Sequence, residues 1–412
     1  MKNLLPRLFC AIFGITFLLV STAAYSGDIH LRPGKNQLTV LSSDYQALRI
    51  TNDFFSFRTE EVKNFSGNFT RITVPGFSPR GVTGSPELPA DSRFIEVPAG
   101  AGVSVRIISQ TVTEYSLEDL GISFPVYPKQ PPVPKTGEPV DFAYLPSAYL
   151  ADMYYIENPV TVEILGTMRG VRIARLDVAP LKYNPLRNTI RVHENIEFEI
   201  VFTDADPALM ELQKQNYASD YFEPVFRSMI NYRPALPAGR DTISRYPVKY
   251  VIVSAPMFEA QLQPLVEWKT MKGFQVVEAY TNDPNVGSTT YSIQAYLQSL
   301  YDNATPEDPA PTFVLFVGDI DQVPTWTGQA ASHVTDLYYV EYTGDLFPEV
   351  YYGRFSAQNT AQLQPQIDKT LMYEQYTMPD PSYLEEVVMI AGMDGTFGPV
   401  HGNGQINYGT IN

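Results

Sequence analysis

The chain has 412 residues, of which 44% are hydrophobic and 18% charged, with 34 prolines and a formal net charge of −16. That length exceeds one ordinary core and predicts two or three domains of about 100–200 residues each. The acidic balance excludes a nucleic-acid partner, because phosphate binding needs a basic footprint that is missing here.

Residues 1–26 have the layout of a secretory signal peptide. Lys2 and Arg7 form a basic start, FCAIFGITFLLV is an apolar run too short to span a membrane, and Ala24-Tyr25-Ser26 is a small-x-small cleavage site. The chain's single cysteine, Cys10, lies inside this leader. The mature chain is therefore expected outside the cell or at its surface, with no membrane-spanning segment. Without disulfides, its core or a bound metal must hold it together.

From residue 27 to 205 the sequence alternates with period two, as in FIEVPAGAGVSVRIIS and TIRVHENIEFEIVF, and is punctuated by Gly and Pro. This predicts an all-β sandwich or barrel. A proline-rich loop, YPKQPPVPKTGEP, interrupts it. Residues 206–247 change to mixed polar and aromatic composition and end in NYRPALPAGRDTISRYP, which predicts an exposed linker open to proteolysis.

After residue 248 the period changes again. KYVIVSA, FQVVEAYT, TFVLFVGD and LEEVVMIAGMDG have the length and composition of buried strands. Between them, Phe258, Leu262, Leu265, Val266 and Lys269 recur at helical spacing, as do Ile293, Tyr296, Leu297, Leu300 and Tyr301; TAQLQPQIDKTLMYEQY predicts a third helix. Strands alternating with amphipathic helices predict an α/β domain with a mainly parallel sheet over 248–412.

In such sheets reactive groups gather beyond the carboxyl ends of the strands. Asp319 closes TFVLFVGD and Asp394 closes VVMIAGMD. The aromatic stretch TDLYYVEYTGDLFPEVYYGRFS, residues 335–356, carries further acids. If its backbone is extended, Asp345, Phe347 and Glu349 point to one side. With Asp319 they would offer the oxygen donors that calcium takes, the alternative being a solvated acidic loop. No H-E-x-x-H, cysteine cluster, phosphate loop or G-x-S-x-G elbow is present, and His30, His193, His333 and His401 form no motif.

The stretch at 335–356, with QIDKTLMYEQYTMPDPSYLEEVVMIAGMDG after it and KYVIVSAPMFEAQLQPLVEWKTMKGFQVVEAY and FVLFVGDIDQVPT before it, resembles the gingipain family of secreted cysteine endopeptidases. GSPELPADSRFIEVPAGA resembles that family's inhibitory propeptide. The resemblance implies a propeptide docked on a caspase-like α/β domain that acts on protein or peptide substrates through a His–Cys dyad. It implies that Asp394 orients the catalytic histidine, and that Asp319, Asp345, Glu349 and the Phe347 carbonyl bind a structural calcium. A further acidic ligand of some members falls on Thr343. The catalytic His and Cys are expected beyond the last residue, so that this chain alone is expected inactive. Arg240 is the expected processing site, with Arg245 as the second choice, and Lys129 and Lys135 are candidates to plug the cleft. The alternative is a non-catalytic secreted binding protein that keeps the fold.

Overall fold

The computed structural model describes residues 26–385 apart from 65, 133–139, 235–246, 306 and 330–332. Residues 1–25 of the leader, Lys135, Arg240, Arg245, Asp394, His401 and residues 386–395 of the strand expected at LEEVVMIAGMDG lie outside the described residues.

The first unit runs β1 (Ser26–His30), β2 (Gln37–Ser43), β3 (Ala47–Asp53), β4 (Ser56–Asn64), β5 (Gly67–Thr73), β6 (Ser78–Arg80), β7 (Leu88–Val97), β8 (Gly102–Ser116), the single-turn helix α1 (Pro146–Tyr149), β9 (Val160–Met168), β10 (Val171–Val178), β11 (Leu181–Asn184) and β12 (Thr189–Thr203). One sheet has the order β6-β7-β10-β9; a second has β11-β12-β3-β2 with β8 also on β12; a third has β1-β4-β5. The alternation seen in the sequence places every second side chain inward. Leu48 and Ile50 of β3 and Ile196, Phe198 and Ile200 of β12 thus pack against Ile95 of β7 and Ala174, Leu176 and Val178 of β10. A second cluster, including Phe54, Phe57, Ile72, Leu88, Leu181 and Tyr183, lies under the β1-β4-β5 sheet.

Residues 206–234 differ from the expected linker, because they fold. Helix α2 (Pro207–Asn216) starts at Asp206, whose side chain accepts from Leu209 N, with Pro207 in the first turn. A short helix, α3 (Glu223–Phe226), follows. Lys214 of α2 meets Glu96 of β7 at 2.5 Å, both side chains being 2% exposed. The Asn231 side-chain amide donates to the Glu96 carbonyl at 2.9 Å and accepts from Glu96 N at 2.7 Å, so a side chain following α3 caps the backbone of β7. The expectation of a linker therefore narrows to 235–246.

The second unit contains β13 (Val248–Ser254), α4 (Glu259–Met271), β14 (Phe274–Tyr280), α5 (Thr290–Asp302), β15 (Pro311–Val317), the small hairpin β16 (Trp326–Thr327) and β17 (Val334–Thr335), then β18 (Tyr351–Phe355) and α6 (Thr360–Glu374). Its main sheet has the order β14-β13-β15-β18 and every pairing is parallel. Alternate residues of the same strands serve opposite faces. Val251, Val253, Val314 and Phe316 pack with Ile293 and Leu297 of α5, while Ile252, Leu315 and Val317 pack with Leu262 and Leu265 of α4 and Leu363 and Ile367 of α6. A sheet covered on both faces explains why its strands look uniformly apolar in the sequence. The expected division into an all-β unit followed by an α/β unit with a parallel sheet is what the structure has.

Candidate functional site

Because all strands of the main sheet are parallel, it has one carboxyl rim and one amino rim. Strand β14 lies to one side of β13 and β15 to the other, so the order reverses between β13 and β15. The carboxyl ends at such a reversal are where open α/β sheets place ligands. Asp319 sits there, two residues past β15, with Oδ1 accepting from Ile320 N at 2.9 Å and Oδ2 from Gln358 at 3.0 Å. The Gln358 hydrogen bond, followed by the Ile320 amide, holds its carboxyl below the usual range. Gly318 before it has φ 132°, and a side chain there would meet the Cβ of Gln322. Arg354, which ends the aromatic stretch, clamps this rim. It pairs in bidentate fashion with Asp336 at 2.7 and 2.8 Å and donates to the carbonyls of Gly318 at 2.8 Å and Val323 at 2.9 Å.

At the amino rim the other three acids of the stretch, Glu341, Asp345 and Glu349, gather. Residues 341–350 are not extended: Gly344 and Leu346 have φ 81° and 70°, and Asp345 Oδ1 accepts from Phe347 N at 2.9 Å, closing a turn. Glu341 accepts from the amides of Thr343, Gly344 and Asp345. Glu349 is fully buried, accepting from Tyr342 N at 3.0 Å and Thr343 Oγ1 at 3.1 Å. Burial pushes its carboxyl up to about 7, and the Asp345 and Glu341 charges add to the rise.

The four-donor calcium set is therefore corrected. Asp319 follows the last residue of β15, whereas Glu349 precedes the first residue of β18, the parallel neighbour of β15. Five residues of strand, about 16 Å at a rise of about 3.3 Å each, separate the two rims. Asp319 and the Asp345–Glu349 loop are on opposite edges and do not converge. Among the described residues no group of three or more His, Cys, Asp or Glu side chains is arranged to hold a metal ion.

The amino rim is where the first unit docks. The β9–β10 hairpin turns at Arg169-Gly170, with φ 48° and 73°, the positive pair that a type I′ turn requires. Arg169 is 1% exposed. Its guanidinium donates to the carbonyls of Tyr217, Pro311 and Glu349, each at 2.8 Å, and lies over the ring of Phe222. Next to it, Thr167 N donates to Asp345 Oδ2 at 2.6 Å. Gly166 allows this approach, since a Cβ there would fall on the Asp345 carboxylate. Aromatic pairs complete the contact: Tyr217 stacks on Tyr301 with centroids at 4.4 Å, and Phe222 on Tyr351 at 4.2 Å. The one signal for Arg169 in the sequence is a charged residue before glycine between two alternating strands. Lys129, a candidate plug, instead contacts Glu87 at 3.4 Å and the Pro79 carbonyl within the first unit.

Comparison with known proteins bears on both units. Residues 30–231 match the family model Propeptide_C25 and residues 243–409 match Peptidase family C25. Lys-gingipain HG66 of Porphyromonas gingivalis is 35% identical over 410 residues, covering 99% of this chain and 23% of that protein. Gingipain R2 of Porphyromonas gingivalis is 26% identical over 383 residues, covering 90% of this chain and 49% of that protein. A solved structure described as giving insight into the zymogenic latency of gingipain K from Porphyromonas gingivalis is 36% identical, with TM-score 0.41, over 44% of this chain and all of that one (100%). The chain thus spans about a quarter of the length of the Lys-gingipain it matches, 23%. With both its β unit and its α/β unit matched in order, the chain belongs to the gingipain family, peptidase family C25, as a propeptide joined to peptidase-domain sequence.

Proposed function

We propose that this chain is part of a secreted cysteine endopeptidase zymogen, in which the β unit keeps the peptidase unit latent until cleavage at Arg240. The observation that carries this function is the docking of the propeptide unit on the peptidase unit across a buried arginine and stacked aromatic rings, with the junction at 235–246. The only cysteine of these 412 residues is Cys10. The thiolate that such an enzyme needs is assigned to the part of a longer protein that the Lys-gingipain match leaves uncovered. Asp394 is proposed to accept a hydrogen bond from the catalytic imidazole and hold its tautomer.

Calcium enters as a proposal for the amino rim alone, with Asp345, Glu349 and the Phe347 carbonyl as donors and Asp319 outside the set. Its support is the gathering of Glu341, Asp345 and Glu349 in one loop at that rim, where a divalent cation would offset the burial of the Glu349 carboxylate. The signal-peptide pattern of residues 1–26 supports export.

The test is a longer protein from the same gene, treated with a thiol-reactive peptidyl probe before and after cleavage at Arg240. Labelling that appears only after cleavage is the expected outcome. A longer protein that has no strand-end cysteine, or that never labels, would instead make the chain part of a non-catalytic binding protein.

A further inference from the structure

We infer that a cut after Arg240 frees residues 241–247 to take the place that Arg169 holds on the amino rim, so that the new amino-terminal segment of the peptidase unit competes with the propeptide and makes its departure one-way. The inference rests on the zymogen reading above and names what covers this rim once the propeptide has left. Three features carry it.

First, departure of the β unit leaves a defined vacancy. It takes Arg169 away from the carbonyls of Pro311 and Glu349, and the Thr167 amide away from the Asp345 carboxylate. It also uncovers the rings of Tyr301 and Tyr351, on which Tyr217 and Phe222 stack. Acceptors beside aromatic faces suit a cation carried next to an aromatic side chain. Second, DTISRYP, residues 241–247, offers that pair as Arg245-Tyr246. Lys249, Lys269, Lys272 and Arg354 of the peptidase unit are committed to Asp308, Glu374 and Asp336, so the unit's described bases, Lys369 of α6 aside, are not available to the rim. Third, the tether is short. Lys249 lies opposite Pro311 across the β13–β15 pair, where neighbouring strands are about 4.8 Å apart. Four residue steps, at most about 14 Å, separate Arg245 from Lys249. A turn at Pro247 therefore puts the guanidinium within reach of the Pro311 carbonyl. A ligand on so short a tether acts at roughly millimolar effective concentration, which a propeptide free to diffuse away does not match.

The full chain, carrying a site-specific protease sequence in place of residues 235–240 so that the cut falls before Asp241, tests this. The association of the cut halves is read by size exclusion over a dilution series. Arg245→Gln is expected to tighten it about 10-fold in Kd, because a segment that fills the place about nine-tenths of the time weakens the propeptide by that factor. A second version, cut between Arg245 and Tyr246 so that the arginine leaves with the propeptide, is expected to associate as tightly as Arg245→Gln. Lys369→Gln, which removes an exposed cation of the same unit, is expected to leave the affinity unchanged. Equal or weaker association in Arg245→Gln, or the same tightening in Lys369→Gln, would overturn the exchange. Thiol labelling plays no part in this readout, so a failed exchange and a failed peptidase assignment give different outcomes.

Discussion

Single residues decide where charge is tolerated. His193 of β12 is 4% exposed and has Gln110 at 3.1 Å from Nδ1. Burial, with the Lys182 and Arg191 charges adding, pulls its imidazole down to about 4. Between the usual 6.5 and that value the unfolded chain binds the proton and the folded one does not. Stability from this group is thus complete above pH about 6.5 and is lost as pH falls toward about 4, up to about 3 kcal/mol. Urea titrations at pH 7 and pH 4.5 are expected to show that loss, and His193→Gln to reduce the difference between the two pH values. Arg354 and Asp336 are each 13% exposed and joined at 2.7 Å. Asp336→Ala leaves the guanidinium with carbonyls alone and is expected to destabilise the peptidase unit by about 3 kcal/mol in urea unfolding. Arg354→Lys gives up the bidentate fork and is expected to lose a smaller part.

At the scale of elements, β9 and α5 show how local chemistry places a surface. Gly166 faces Asp345 across the interface and sits opposite a register shift in β10. A bulge of this kind bends a strand and re-aims it. Gly166→Val is expected to force Asp345 aside and break the 2.6 Å bond from Thr167, lowering the affinity of the cut halves while leaving the melting of the β unit nearly unchanged. Helix α5 begins with a reciprocal capping box between Thr289 and Ser292. Thr289→Ala is expected to cost about 1 kcal/mol by equilibrium unfolding. That loss would be felt at the interface, because Tyr301 near the end of α5 stacks on Tyr217.

Over the whole molecule, the parallel sheet separates two tasks by about 16 Å, the length of a five-residue strand at about 3.3 Å per residue. The carboxyl rim, shaped by Arg354, holds Asp319; the amino rim holds the acidic loop and receives the propeptide. If calcium binds at the amino rim as proposed, chelation is expected to lower the thermal midpoint. Glu349→Gln would abolish that response and Asp319→Asn would leave it intact, as differential scanning calorimetry with and without chelator can establish. A response abolished by Asp319→Asn would restore the four-donor set.

The order of the units, the period-two and helical patterns, the strand-end position of Asp319 and the family resemblance were all legible in the residues, because alternation and amphipathicity report which faces are buried. Residues 206–234 read as a linker because their helices are short and owe their place to contacts such as Lys214 with Glu96 rather than to periodicity. Only the tertiary structure decided which acids meet. The spacing of Asp345 and Glu349 assumed extended backbone, but the positive φ of Gly344 and Leu346 folds that segment into turns. The parallel direction of β15 and β18 then sends Asp319 to the far rim. Which strand neighbours which, and where the hairpin docks, are properties of chain segments distant in sequence, so no local pattern could contain them.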